Sequence, residues 1–408
     1  MNSFNLKIGN AKILFIVITL YLLFPSPFEN FQFITYPAVS IIILILLLSN
    51  YKNLKVYLNK ELLVSIFGLL SLSFFIGLSI LINREDYTFS SLVHMFKPIF
   101  FIAILLFSYI FSYNCEKKRL ANYFVVFATF ILMMQLFISI TQLLNIDLFT
   151  NIYNSSKAQG IGTKIRVVGS LSNPNILAWV TTQLMVMILL FSRNKLFIIF
   201  MFIVSFSIII LTSSRSFLIL MPIIMILVLV IKRKKNISFY LIFIPITVLG
   251  SYLIFKFIKW FIYSYQDVFP YIYQLTSVFE TGELKSVNSF NMRLVIWQNS
   301  MERIGDSFLF GLGPGVIRSL DNDFLYALVN YGVLYLIIQT VLYLVFCIFF
   351  YNNQNENFKI MGIINVIFAL IVGLQADTIS GWFYPVLTMF ILGVSLSSMN
   401  NNYKNKQS

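Results

Sequence analysis

The chain has 408 residues, 59% of them hydrophobic and only 11% charged, with a mean hydropathy of +0.86. Soluble domains carry about 25% charge, so a soluble fold is excluded. The net charge of +14 would direct a soluble protein to nucleic acid, but membrane proteins collect Lys and Arg in their cytoplasmic loops, and no nucleic-acid partner is expected.

Windows of about 20 apolar residues, the length that crosses a hydrocarbon core, recur from end to end. Only helices satisfy their own backbone in lipid without closing a barrel. The pattern predicts an all-α, polytopic integral membrane protein with about twelve transmembrane helices and one long outer loop. The spans fall near 11–24, 33–49, 61–82, 95–113, 120–144, 174–192, 196–212, 216–231, 238–261, 323–350, 358–376 and 382–398. Pro25 and Pro27 follow the first apolar run where a small-residue cleavage site would stand, so no cleavable signal peptide is expected.

Loop charges fix the orientation. With the N-terminus inside, the inner segments hold Lys7 and Lys12; Lys52, Lys55 and Lys60; Lys117, Lys118 and Arg119; Arg193 and Lys195; Lys232, Arg233, Lys234 and Lys235; Lys359; and Lys404 and Lys406. Outer loops hold Glu29, Arg84, Glu85, Asp86 and Asp377. Positive charge alternates in register with the inner side, which places both termini in the cytoplasm. The organisation is a single polytopic domain over 1–408, with a basic outer loop at 145–173 and a long outer loop at 262–322.

The informative cations lie on the outer side, against the charge rule. In chain order, GIGTKIRVVGS (160–170) sets Lys164 and Arg166 between glycines, which permit close backbone approach to a ligand. The alternative is a solvated loop against anionic lipid. SNPN (172–175) reads as a helix start, with Ser172 or Asn173 capping and Pro174 at the first helical position. LTSSRSF (211–217) holds Arg215 in a tight turn between two apolar helices. A guanidinium there offers a planar fork to pyrophosphate oxygens beside three hydroxyls; alternatively it snorkels to headgroups.

The long loop carries Lys285, Arg293, Arg303 and Arg318 with Asp267, Glu280, Glu283 and Asp306. In NMRLVIWQNSMERI (291–304), Leu294, Trp297, Met301 and Ile304 recur at helical spacing and predict an amphipathic helix. GLGPG (311–315) reads as a turn: it follows no strand and lacks the Lys-Ser/Thr of a nucleotide loop. DNDFLYALVNYG (321–332) places Asp321 and Asp323 at the opening of a span, as helix caps or as a general base whose apolar surroundings tune it. His94 and Lys97 read as an interfacial pair near headgroups, and Asp377 as a minor candidate. One histidine and two cysteines, Cys115 and Cys347, form no metal or disulfide pattern. No metal and no cofactor is expected.

Taken in order, the basic outer loop, LTSSRSF, RLVIWQNSMERIGDSFLFGLGPG (293–315) and DNDFLYALVNYGVL (321–334) resemble the O-antigen polymerase and O-antigen ligase superfamily, called Wzy and WaaL. Ligases of that superfamily carry a histidine near the end of the long loop, at about the place of Asp321 or Asn322. This chain has none there, which favours the polymerase branch. The resemblance implies a glycosyltransferase at the outer (periplasmic) face of the bacterial inner membrane. It would move a growing glycan from undecaprenyl pyrophosphate to a lipid-linked repeat unit, for O-antigen, capsule or exopolysaccharide. The partners implied are the undecaprenyl-pyrophosphate-linked oligosaccharide, membrane lipid and a chain-length regulator. Arg215 and Asp321 are the catalytic candidates; Lys164, Arg166, Arg293, Arg303, Arg318 and Asn322 are the substrate-binding candidates. A flippase for the same lipid-linked sugar would place its charges at mid-membrane between repeats, whereas these spans are nearly charge-free. A scaffold would not need an arginine in a tight outer turn.

Overall fold

The computed structural model describes residues 9–23, 59–83, 89–113, 115–144, 146, 159–161, 164–171, 173–233, 288–317, 320–374, 376, 381 and 383–407, with isolated positions at 43, 45, 256, 260 and 264. In chain order the elements are α1 (Gly9–Leu23), α2 (Lys60–Ile82), α3 (Phe89–Ser112), α4 (Lys117–Leu143), β1 (Gln159–Ile161), β2 (Lys164–Arg166), α5 (Pro174–Phe191), α6 (Lys195–Thr212), α7 (Arg215–Arg233), α8 (Asn288–Ile304), α9 (Asp323–Tyr351), α10 (Glu356–Gly373) and α11 (Phe383–Gln407). Seven of these helices are long and apolar enough to cross a membrane, and shorter apolar helices cover Lys12–Leu23, Ser216–Lys232 and Tyr384–Met399. Each matches a predicted span. The predicted spans at 33–49 and 238–261 lie almost wholly outside the described residues, so the count of twelve stands as an expectation.

Exposure is inverted relative to a soluble protein. On α9, Ile337, Val341, Leu344 and Ile348 are exposed at helical spacing, and on α6, Leu196, Ile199, Phe200 and Ile203 are. Such stripes need an apolar solvent, which identifies a polytopic membrane protein. Polar groups turn inward instead, as Asn330, Gln183 and Asn365 do.

The chain divides into two compact units, Met1–Phe127 with Arg293–Ser408, and Ala128–Met292. In the first unit small residues bring helices together, a means of association available in lipid. Ser112 and Ser397 share a hydrogen bond of 2.7 Å between α3 and α11, and a Cβ at Gly393 would stand 2.6 Å from the Leu105 carbonyl oxygen. Side chains bind the next helix pair: Thr388 donates to Asn365 Oδ1 at 2.7 Å, and Asn353 Nδ2 donates to Ser395 Oγ at 2.6 Å. In the second unit α5 packs on α6 and α7, and Asn173 caps α5 by accepting from the Asn175 and Ile176 N–H groups. That is the start predicted from SNPN, with Asn173 as the cap.

The span α9 is broken. Gly332 has φ 86° and ψ 172° inside the helix. The end of the long loop occupies the break. Leu312 N donates to Val329 O (2.8 Å), Gly313 N to Asn330 O (3.1 Å), and Val333 N to Phe308 O (3.1 Å). Backbone groups freed at membrane depth must find protein partners, and GLGPG supplies them. Asn330 is the hub: its Oδ1 accepts from Ile317 N at 3.2 Å and its carbonyl from Ser79 Oγ at 3.1 Å, while Asn83 Nδ2 donates to Gly311 O at 3.1 Å.

Candidate functional site

In the first unit the loop helix α8 meets the opening of α9. The predicted helix is present, and Trp297 and Ile304 of its apolar line turn inward. Its inward line is Arg293, Trp297, Ser300 and Ile304, whereas Leu294 and Met301 are exposed. Spacings of four, three and four keep the observed set on one side of a helix. Trp297 Nε1 donates to the Leu320 carbonyl at 2.6 Å. One turn away, Arg293 places Nη2 at 2.9 Å and Nε at 3.0 Å from Oδ2 of Asp321. The pair is partly open, with side-chain exposures of 30% and 41%.

Asp321 has φ 50°, an uncommon left-handed value for a residue other than glycine, and directly precedes the helix. The cap itself is Asn322, whose Oδ1 accepts from Leu325 N at 3.0 Å. This bond engages the Asn322 side-chain oxygen at the helix end. Asp321, also read as a possible cap, is instead the counter-ion of Arg293. Asp323, in the first turn, is 1% exposed. Arg303 stands exposed in the last turn of α8, away from this junction along the helix. Arg318 and Asp377 lie outside the described residues.

In the second unit three sequence motifs converge. Two glutamines of α4, one face apart by seven residues, grip the segment after β2. Gln142 Oε1 accepts from Val168 N (3.0 Å) and Gly169 N (2.9 Å), and its Nε2 donates to Gly169 O (2.8 Å). Gln135 Oε1 accepts from Ser170 N (3.0 Å). This clamp aims the β1–β2 hairpin, in which Lys164 pairs with Ile161 through the backbone. It also brings Arg166 to the end of α6, where Nε donates to the Thr212 carbonyl at 3.2 Å and Val167 N to Leu211 O at 3.3 Å.

The turn that follows is tight. Ser213 closes α6 at φ 52°, and Ser214 Oγ donates to Asn175 Oδ1 at 2.8 Å. Arg215 is then the first residue of α7. The basic hairpin, the SNPN start and the LTSSR turn therefore form one corner, with Arg166 bound three residues before Arg215. The side chains of Lys164 and Arg215 lie outside what the structure describes.

Sequence reasoning passed over Gln135 and Gln142; the available signal was a pair of amides on one face of an apolar span. It also placed His94 and Lys97 at the membrane interface. The structure buries Lys97, and joins His94 Nδ1 to Tyr331 Oη at 2.8 Å. The cause is the helix boundary: α3 begins at Phe89, six residues before the predicted start, so both side chains fall inside the bundle.

Residues 200–338 match the family model Wzy_C, described as O-Antigen ligase. The match runs from α6 into α9, so it takes in the LTSSR turn, the α8 helix, the loop end and the Asp321–Asn322 opening. Over these residues the chain is similar to the superfamily that its motifs resemble. No curated protein matches the chain.

Proposed function

We propose that the chain is an oligosaccharide repeat-unit polymerase, which transfers a growing glycan from undecaprenyl pyrophosphate to a lipid-linked repeat unit. The observation that carries this reading is the corner where Arg166 is tied to the carbonyl end of α6 and Arg215 opens α7. In the reaction the acceptor hydroxyl oxygen bonds to the anomeric carbon, and the bond from that carbon to the pyrophosphate oxygen breaks. The charge on the departing lipid pyrophosphate needs fixed donors. We assign the phosphate clamp to Arg215, and substrate binding to Lys164, Arg166, Arg293, Arg303, Arg318 and Asn322. The hydroxyl proton passes to Asp321, which Arg293 holds in place, or to solvent.

The family description favours the ligase as a second reading. Against it, residues 321 and 322 are Asp and Asn, and the only histidine of the sequence, His94, bonds to Tyr331 within the bundle. Deletion in the source bacterium, followed by analysis of lipid-linked glycans, separates the readings. A polymerase deletion leaves single repeat units on the carrier. Long polymers stranded on the carrier would mean a ligase, and no repeat units at the outer face a flippase.

A further inference from the structure

The segment between the basic hairpin and the start of α5 is not a surface loop. Val167, Val168, Ser170 and Leu171 are buried, yet they belong to neither helix nor strand. Buried backbone of this kind needs partners within the protein, above all where lipid is the solvent. The helix α4 supplies them. Gln135 and Gln142 stand two helical turns apart and so on one face. Gln142 reads the backbone of residues 168 and 169, accepting from both N–H groups and donating to the Gly169 carbonyl. Gln135 accepts from Ser170 N and donates from Nε2 to Ser170 Oγ at 2.6 Å.

A side chain at position 169 is excluded twice. Gly169 has φ 58°, and a Cβ there would collide with Gln135 Oε1 and stand 3.0 Å from Leu177 Cδ2 of α5. Immediately upstream of the clamp, Val167 N reaches Leu211 O and Arg166 Nε reaches Thr212 O. Two residues of chain separate Arg166 from Val168, a reach of about 7 Å at most. Movement at the clamp is therefore passed directly to Arg166.

We propose that Gln142 and Gln135 are positioning residues for substrate binding. Acting through the backbone of residues 168–170, they hold Arg166 where it meets the phosphate oxygens of the lipid-linked glycan. The identity of that substrate rests on the transfer reading above; the clamp itself does not. Loss of the clamp frees the hairpin, while Arg215 keeps its place as the opening residue of α7. Binding should therefore suffer more than turnover.

The full chain, purified in detergent, is compared with Gln142→Met, Gln135→Met and Gly169→Ala on the undecaprenyl-pyrophosphate-linked repeat unit. Methionine keeps the length and the helix propensity of glutamine and removes both polar groups. Gly169→Ala breaks the same clamp from the other side. Hydrogen exchange over residues 166–171 reads the clamp independently of transfer, and it should speed up in all three variants. In Gln142→Met, KM should rise about tenfold or more, the scale of a lost charged hydrogen bond, with kcat within about threefold of wild type. Adding Arg166→Ala to Gln142→Met should raise KM little further, because the two act in series. If Gln142→Met does not accumulate as folded protein, Gln135→Met carries the same comparison, since it leaves the three Gln142 bonds in place. Wild-type KM despite faster exchange overturns the proposal. So does unchanged exchange, a fall in kcat at constant KM, or full additivity with Arg166→Ala. Binding of undecaprenyl pyrophosphate to the same proteins separates the two readings: affinity that depends on Gln142 in a chain that makes no polymer would refute the transfer reading and leave the clamp's role standing.

Discussion

Arg293 spends two guanidinium nitrogens on one oxygen of Asp321, which joins the loop helix to the opening of the span. Their roles therefore have to be measured together. If Asp321 serves only to hold Arg293, Arg293→Ala and Asp321→Ala should be strongly non-additive, the double variant losing little more polymer than either single one. As the proton acceptor, Asp321 should lose polymer as fully in Asp321→Asn as in Asp321→Ala, whereas wild-type polymer in Asp321→Asn would remove the base role. Helix capping no longer competes for Asp321, since Asn322 makes that bond. For Arg215, loss of a fixed charge donor should lower transfer roughly 10²–10³-fold in Arg215→Ala at unchanged protein level. Arg215→Lys should recover little, because an ammonium lacks the bidentate fork. Transfer rates on a lipid-linked repeat unit read all of these variants, and full activity in Arg215→Lys would reduce the residue to a headgroup anchor.

At the level of elements, the break in α9 is where the long loop becomes part of the helix bundle. A Cβ on Gly332 would run into the Leu309 carbonyl, and one on Gly311 would stand 2.6 Å from Asn330 C. Both positions also have positive φ, a strain of about 1–3 kcal/mol for other residues. Gly332→Ala and Gly311→Ala should each lower the melting temperature and displace α8, lowering transfer with it; wild-type values for both would mean that the docking is dispensable. Little of this was legible beforehand. GLGPG reads correctly as a turn, but its target is a glycine in the middle of an apolar run, and local pattern does not encode a pairing across twenty residues. The helices themselves were legible, because hydropathy and length decide them in lipid. On α8, hydropathy marks Leu294 and Met301, which are exposed, but it does not show that Arg293 pairs with Asp321 across the loop. The basic corner was half legible: the motifs were visible one by one, but the α4 glutamines that draw them together gave no loop signal.

On the scale of the whole molecule, orientation follows from loop charge alone. Single cysteines at Asn288 and Ser155 should react with an impermeant thiol reagent added to intact cells, and cysteines at Asn53 and Asn236 should not. Labelling at Asn236 would invert the topology and remove the outer-face site. Reconstitution tests glycosyl transfer between two lipid-linked glycans without other proteins present. The purified full chain in proteoliposomes, given only the undecaprenyl-pyrophosphate-linked repeat unit, should produce a ladder of lipid-linked oligomers and release undecaprenyl pyrophosphate in step with each bond formed, and Arg215→Ala should produce neither. Repeat units that remain single while wild-type protein passes glycan to a different acceptor lipid would mean that the chain is not a polymerase.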